Sequence, residues 1–99
     1  MRIVLRREAE SELIADAQYY ESARPGLGVA FLDEAEKAFP ALALFPSQWR
    51  VVHTDVRRGL LLRFPYAFYY WEKMRGEEVE ILSISHSKRH PLYWLGRHE

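Results

Sequence analysis

The 99 residues contain no cysteine, which excludes disulfides and any thiolate metal site. Nowhere does the chain approach the ~20 consecutive apolar residues of a membrane-spanning helix. Near the N-terminus the only apolar run is Ile3-Val4-Leu5, set between Arg2 and Arg6-Arg7, too short for the core of a signal peptide. A cytoplasmic protein with no membrane partner is expected. Excess charge of one sign is also missing, since 14 Lys and Arg balance 14 Asp and Glu. That balance argues against a chain that grips nucleic acid by bulk charge alone. Glycine and proline are scarce, five of each, so those present mark the breaks between elements. With no repeat, low-complexity tract or linker, residues 1–99 read as one domain. A chain of this length buries somewhat more than ~60% of its unfolded surface and needs no staple to fold.

The charge that is present is unevenly spread. Residues 1–49 hold five Lys/Arg against eight Asp/Glu, and residues 50–99 hold nine against six together with all four histidines. The second half is therefore the one suited to an anionic partner, although a split of this size also arises from two solvated faces.

Ile3-Val4-Leu5 reads as a short first strand whose charged flanks suit a sheet edge. Over residues 8–22 the period changes: Ala9, Leu13, Ala17 and Tyr20 recur at helical spacing, with Glu8, Glu10 and Glu12 at the favourable end of the dipole. Arg24-Pro25-Gly26-Leu27-Gly28 is a reversal. A second helix follows along Leu27, Phe31, Ala35, Ala38, Leu42 and Phe45, and Pro40 predicts a kink or an early end near Phe39. Residues 49–53 form a short strand candidate. From Arg57 to His86, β-branched and aromatic runs broken at Phe64-Pro65 and Arg75-Gly76 read as three more strands. Strands segregated from helices give an α+β domain: an N-terminal strand, then an antiparallel helical hairpin laid on a mainly antiparallel twisted sheet.

Several stretches carry a likeness to a known family. They are Ala17-Gln18-Tyr19-Tyr20-Glu21, Gly26-Leu27-Gly28 with Phe31-Leu32, Phe45-Pro46, Arg57-Arg58, the run from Arg63 to Tyr70, and the run from His86 to Trp94. In this order and spacing the chain resembles the RelE/ParE superfamily of type II toxin–antitoxin toxins, within it the ParE-like, plasmid-stabilisation branch. The resemblance implies a growth-inhibiting toxin neutralised by a cognate antitoxin, with operator DNA reached only through that antitoxin. It also implies one of two targets: DNA gyrase, or mRNA on the ribosome for the endoribonuclease branch. A non-toxic descendant that only binds its antitoxin is the third possibility.

Cleaving RNA by its own 2′-hydroxyl needs a base, an acid and cations for the pentavalent phosphate. His86, Arg89, Tyr93 and Arg63 are the residues that could supply them. Measured against the ribonuclease branch, however, Ala67 stands where an Arg is expected, Ser87 falls at or near another basic position, and Leu60-Leu61-Leu62 replaces lysines. The missing cations favour a binding surface over a catalytic one. Its candidate residues are Arg57, Arg58, Arg63, His86, Arg89, Tyr93 and Trp94, with no cofactor and no metal. Plainer roles compete for each. Arg57 and Arg58 alternate to opposite faces, so one of them is a solvated strand residue; Arg63 could pair with Glu36. His86 reads as a core histidine tying the strand end to the tail, and His86 with His90 has metal-ligand spacing only on a helix, which Pro91 opposes. Tyr93 and Trp94 pack the tail onto the sheet, and as aromatic anchors they also suit a protein interface.

Overall fold

A computed structural model describes residues 1–73, 76–89 and 92–98. The chain runs through β1 (Arg2–Leu5), α1 (Arg7–Ala23), α2 (Leu27–Leu44), β2 (Val51–His53), β3 (Val56–Leu60), β4 (Tyr66–Lys73), β5 (Glu78–His86) and a single-turn α3 (Leu95–His98). Among the described residues the strands form one sheet in the order β1-β5-β4-β3-β2. β1 lies parallel to β5 at one edge, and the other pairings are antiparallel. This is the α+β arrangement expected from the pattern, including the charged first strand at an edge. Arg75, at the expected β4–β5 break, lies outside the described residues, while Gly76 takes the turn at φ 85°.

The hairpin is set by its turn. Glu21 accepts hydrogen bonds from the backbone N–H of Gly26 at 3.0 and 3.1 Å and of Gly28 at 3.1 Å, so a side chain from α1 caps the start of α2. Gly28 is the crossing point: a β-carbon there would lie 2.5 Å from the Ala17 carbonyl oxygen. The two helices approach this closely because residue 28 has no side chain.

Pro40 does not end α2, which continues to Leu44 with the Phe45 N–H bonded to the Ala41 carbonyl at 2.9 Å. Of the kink or early end expected near Phe39, the early end does not occur, for a positional reason. Pro40 and Glu36 are both exposed, so water can satisfy the carbonyl that proline leaves without a partner.

Pleating divides the sheet between two cores. Tyr66, Phe68 and Tyr70 of β4 point to the helices and pack with Leu13, Phe31 and Leu42. Ala67 and Tyr69 point the other way and join Val56, Leu82 and Trp94. The β4–β5 register shifts at Tyr69/Tyr70, whose partners are Ser83 and Ile81, so Leu82 is the extra residue of a bulge. On this second face the cover is the C-terminal tail: Trp94 is completely buried against the Tyr69 ring, 5.4 Å between centroids. The tail is fastened at its end by His98, whose ring meets Trp71 edge-on at 4.7 Å and whose Nε2 lies 2.8 Å from Asp55.

Candidate functional site

The tail face is only partly covered. Between β2, the β3–β4 floor and the turn that follows β5 lies an open cleft of about 680 Å³. Arg50, Val51 and Val52 form one wall, Arg58 and Tyr69 the floor, and Ser87, Lys88, Arg89 and Leu92 the other wall. Four of these nine residues are cationic and none is acidic. Several cations elsewhere on the molecule pair with carboxylates, as in Arg2–Glu78, Arg6–Glu8 and Lys73–Glu80, and in the cleft Arg89 alone does so among the described residues, with Glu12.

Each cation is held differently. Arg58 is fixed at the floor: Nε donates to the Tyr69 hydroxyl at 3.1 Å and Nη2 to the Ser87 carbonyl at 3.5 Å. Arg89 stacks on the Tyr93 ring, 3.8 Å from its centroid, and its Nη1 lies 3.5 Å from the Glu12 carboxylate. Arg50 and Lys88 are exposed at the rim, and their side chains have no hydrogen-bond or ion-pair partner among the described residues. The floor is pre-organised while the rim is free to reach.

Glu12 is a site residue that no local pattern singles out. It lies on α1, where β1 has ended and the outer edge of β5 is otherwise bare. There its Oε1 accepts from the Ile84 N–H at 3.2 Å, and its two oxygens take both outer nitrogens of Arg97 at 3.0 Å. Arg97 in turn donates to the Leu82 carbonyl at 3.1 Å. Helix, strand edge and tail thus meet in one charged knot. Burial works against the Arg97 charge, but the hydrogen bond to and attraction of the Glu12 carboxylate, with smaller contributions from Tyr93 and Glu8, hold the pKa above its ordinary value.

The residues expected from sequence are not all brought together. Arg58, Arg89 and Tyr93 share the tail face. Arg57 points to the other face, where Nη1 donates to the Trp49 carbonyl at 2.6 Å and braces the approach to β2. Arg63 is exposed in the β3–β4 turn and forms no pair with Glu36. That turn sits at the same end of the sheet as the tail, since the Ser87 N–H bonds to the Pro65 carbonyl at 2.8 Å. His86 is exposed, not a core residue: it ends β5 beyond the cover of the helices. Its ring lies 5.8 Å from Tyr66 on the helical side, and its Nδ1 accepts from the Lys88 N–H at 3.2 Å. Trp94 offers no contact surface, because packing on Tyr69 and Leu82 consumes the whole ring. His90 lies outside the described residues.

This placement bears on chemistry. The Tyr93 hydroxyl is buried, and that burial pushes its pKa up, with the Ser83 and Ser85 hydroxyls pulling the other way. Such a group is a poor proton donor to a phosphate in the cleft. The Tyr69 hydroxyl is engaged by Arg58, and Tyr69 is only 2% exposed. Among the described lining residues, then, the cleft presents cations and no side chain poised to move a proton. No group of three or more His, Asp or Glu able to hold a metal ion occurs among the described residues.

A second surface lies on the outer side of the helical hairpin. Ile14 and Val29, each at least half exposed, flank an apolar groove between α1 and α2 that Leu32 also lines.

No protein-family model matches the sequence, and no curated protein matches it by sequence. The fold does have a counterpart among solved structures, a chain of the chromosomal ParDE TA (toxin–antitoxin) system from P. aeruginosa. The two superpose with a TM-score of 0.75 over 87% of this chain and 95% of that one, at 21% identity. The α+β architecture read from the sequence is therefore that of a ParDE-system chain.

Proposed function

We propose that the chain is the toxin of a type II toxin–antitoxin pair, of the ParE-like, plasmid-stabilisation branch of the RelE/ParE superfamily. It acts in the cytoplasm by binding a macromolecular target, with DNA gyrase the first candidate. The family motifs in the sequence and the fold shared with a ParDE-system chain support the toxin–antitoxin part of this reading. What carries binding over cleavage is the cleft, where four cations converge and no acid–base side chain faces them among the described residues. The experiment is supercoiling by purified gyrase with and without this protein. Inhibition at micromolar protein is expected; unchanged supercoiling removes gyrase as the target.

A cognate antitoxin would silence the protein by covering apolar surface. The groove at Ile14, Val29 and Leu32 is the surface available on the hairpin. An antitoxin segment that orders as it binds must bury a large area to offset the entropy it loses.

The second reading is ribosome-dependent mRNA cleavage, with His86, Arg89, Tyr93 and Arg63 in the active site. In its favour, the Arg89 N–H bonds to the His86 carbonyl at 3.0 Å, so the two share one turn. Against it, the His86 ring lies beside Tyr66 on the helical side. Primer extension on cellular mRNA after induction decides the matter, because cleavage within codons is expected only if this reading holds.

A further inference from the structure

We propose that the cleft floored by Arg58 and rimmed by Arg50, Lys88 and Arg89 is a sequence-tolerant seat for the phosphodiester backbone of duplex DNA. This deepens the reading above by naming what the cleft grips: DNA carried by the target enzyme, in place of a protein surface of that enzyme.

Three observations support it. First, the charge is concentrated, and only Arg89 has a carboxylate beside it among the described residues. A chain with no net charge gathers four cations in one concave surface whose described lining holds no carboxylate. A concave, like-charged lining focuses the field on a polyanion. Second, the cations are graded in the way a backbone site requires. Arg58 is locked by Tyr69 and Ser87, Arg89 is propped on the Tyr93 ring, and Arg50 and Lys88 reach outward from opposite walls. Fixed guanidinium groups suit phosphate geometry, and mobile rim cations tolerate variation in groove width. Glu12, 3.5 Å from Arg89, partly neutralises that cation, so Arg89 contributes least of the four.

Third, the described lining offers no exposed ring on which a splayed single strand could stack. Among the described residues the only ring in the lining is Tyr69, 2% exposed and engaged by Arg58. Stacking platforms are what proteins use for single strands. The apolar lining residues are Val51, Val52 and Leu92, which offer no hydrogen bond to a base edge. With cations the charged groups of the described lining, binding is carried by the phosphates, and such contacts position a duplex without specifying its sequence.

The test is fluorescence anisotropy of a short labelled DNA duplex titrated with the full chain across a range of salt. Four phosphates neutralised give a slope of log K against log salt of about −3 to −4, the same for two unrelated sequences. The double variant Arg50→Gln with Lys88→Gln removes two exposed cations that have no side-chain partners, so its urea midpoint should match the parent. Its slope should fall to about −2. A control pair outside the cleft, Arg24→Gln with Lys37→Gln, should leave the slope unchanged.

The proposal is overturned by any of three results: no duplex binding at the lowest salt, a slope unaffected by the cleft pair, or an equal loss with the control pair. A polyglutamate competitor that displaces the duplex at equal charge concentration, and binds more tightly than DNA, also overturns it, because the cleft would then be a dock for an acidic protein segment. Growth on induction is measured in parallel. Arrest without duplex binding sinks this inference and leaves the toxin reading standing; duplex binding without arrest does the reverse.

Discussion

The Glu12 carboxylate holds both outer nitrogens of Arg97 at 3.0 Å, joining residues 85 positions apart in the chain. The pair lies at the point where β5 outruns β1, so it also occupies backbone groups of β5 that would otherwise face an empty edge. Through Arg97 and Arg89 the same carboxylate sets where the tail lies, and hence one wall of the basic cleft.

Removing either partner leaves the other charge largely enclosed, since the Arg97 and Glu12 side chains are only 18% and 15% exposed. Glu12→Ala and Arg97→Ala should each cost about 2–3 kcal/mol in urea unfolding, a fall in thermal midpoint of roughly 10–20 °C for a domain of this size. The double variant should lose clearly less than the sum of the two. Strictly additive losses would show that the two side chains act independently.

Asp16 provides a pH signature. Burial pushes its carboxyl above the ordinary value, while the neighbouring Tyr66 hydroxyl pulls it down by hydrogen bonding. A carboxyl with a raised folded pKa binds its proton more tightly in the native state. Its cost to stability is therefore complete above the folded pKa and vanishes below the unfolded one. Asp16→Asn keeps an acceptor for Tyr66 and should raise the thermal midpoint at about pH 7 while leaving it unchanged near about pH 3. A lower midpoint at neutral pH would mean that attraction from Arg89 and His86 outweighs burial.

Two glycines should respond in opposite ways. At Gly28 an added methyl meets the Ala17 carbonyl at 2.5 Å, whereas at Gly96 it meets nothing within 4 Å. Gly28→Ala should destabilise by about 1–3 kcal/mol as the helices are forced apart. Gly96→Ala should be neutral or slightly stabilising. Urea midpoints measured side by side check both, and an undisturbed Gly28→Ala would contradict the close crossing of α1 and α2.

Trp94 closes the second core. Trp94→Ala should cost about 3–5 kcal/mol, a large share of the ~5–15 kcal/mol that holds a domain together. Amide exchange in the tail and in Leu82 should rise more than in the helical hairpin. Equal loosening of both faces would argue against two separate cores.

Much of this fold could be read from the chain. Ala9, Leu13 and Ala17 announce α1 by spacing, Phe31, Ala35 and Leu42 announce α2, and the aromatic run from Tyr66 to Trp71 announces β4. Local periodicity carries such information because each element buries one stripe. Pro40 misled because a pattern shows a proline but not which way its face looks, and here it looks to water. The site was less legible. Arg58 and Arg89 were chosen from family motifs, but Arg50 and Lys88 are ordinary charges in the sequence, brought together by the β2–β3 pairing and the turn after β5. Glu12 belonged to a helix-start cluster explained by the dipole, and nothing local shows that it reaches an arginine 85 residues on. Trp94 carried two readings at once, interface anchor and core, and only the bulged sheet against which it packs separates them.

The central claim is that the cleft is the surface through which this protein arrests growth. Its most direct test is induction of the parent chain beside the Arg50→Gln, Lys88→Gln variant at matched expression and matched unfolding midpoint. The account predicts that the parent stops growth and that the variant, folded and abundant, does not. Arrest by the variant as fast and as complete as by the parent would contradict it.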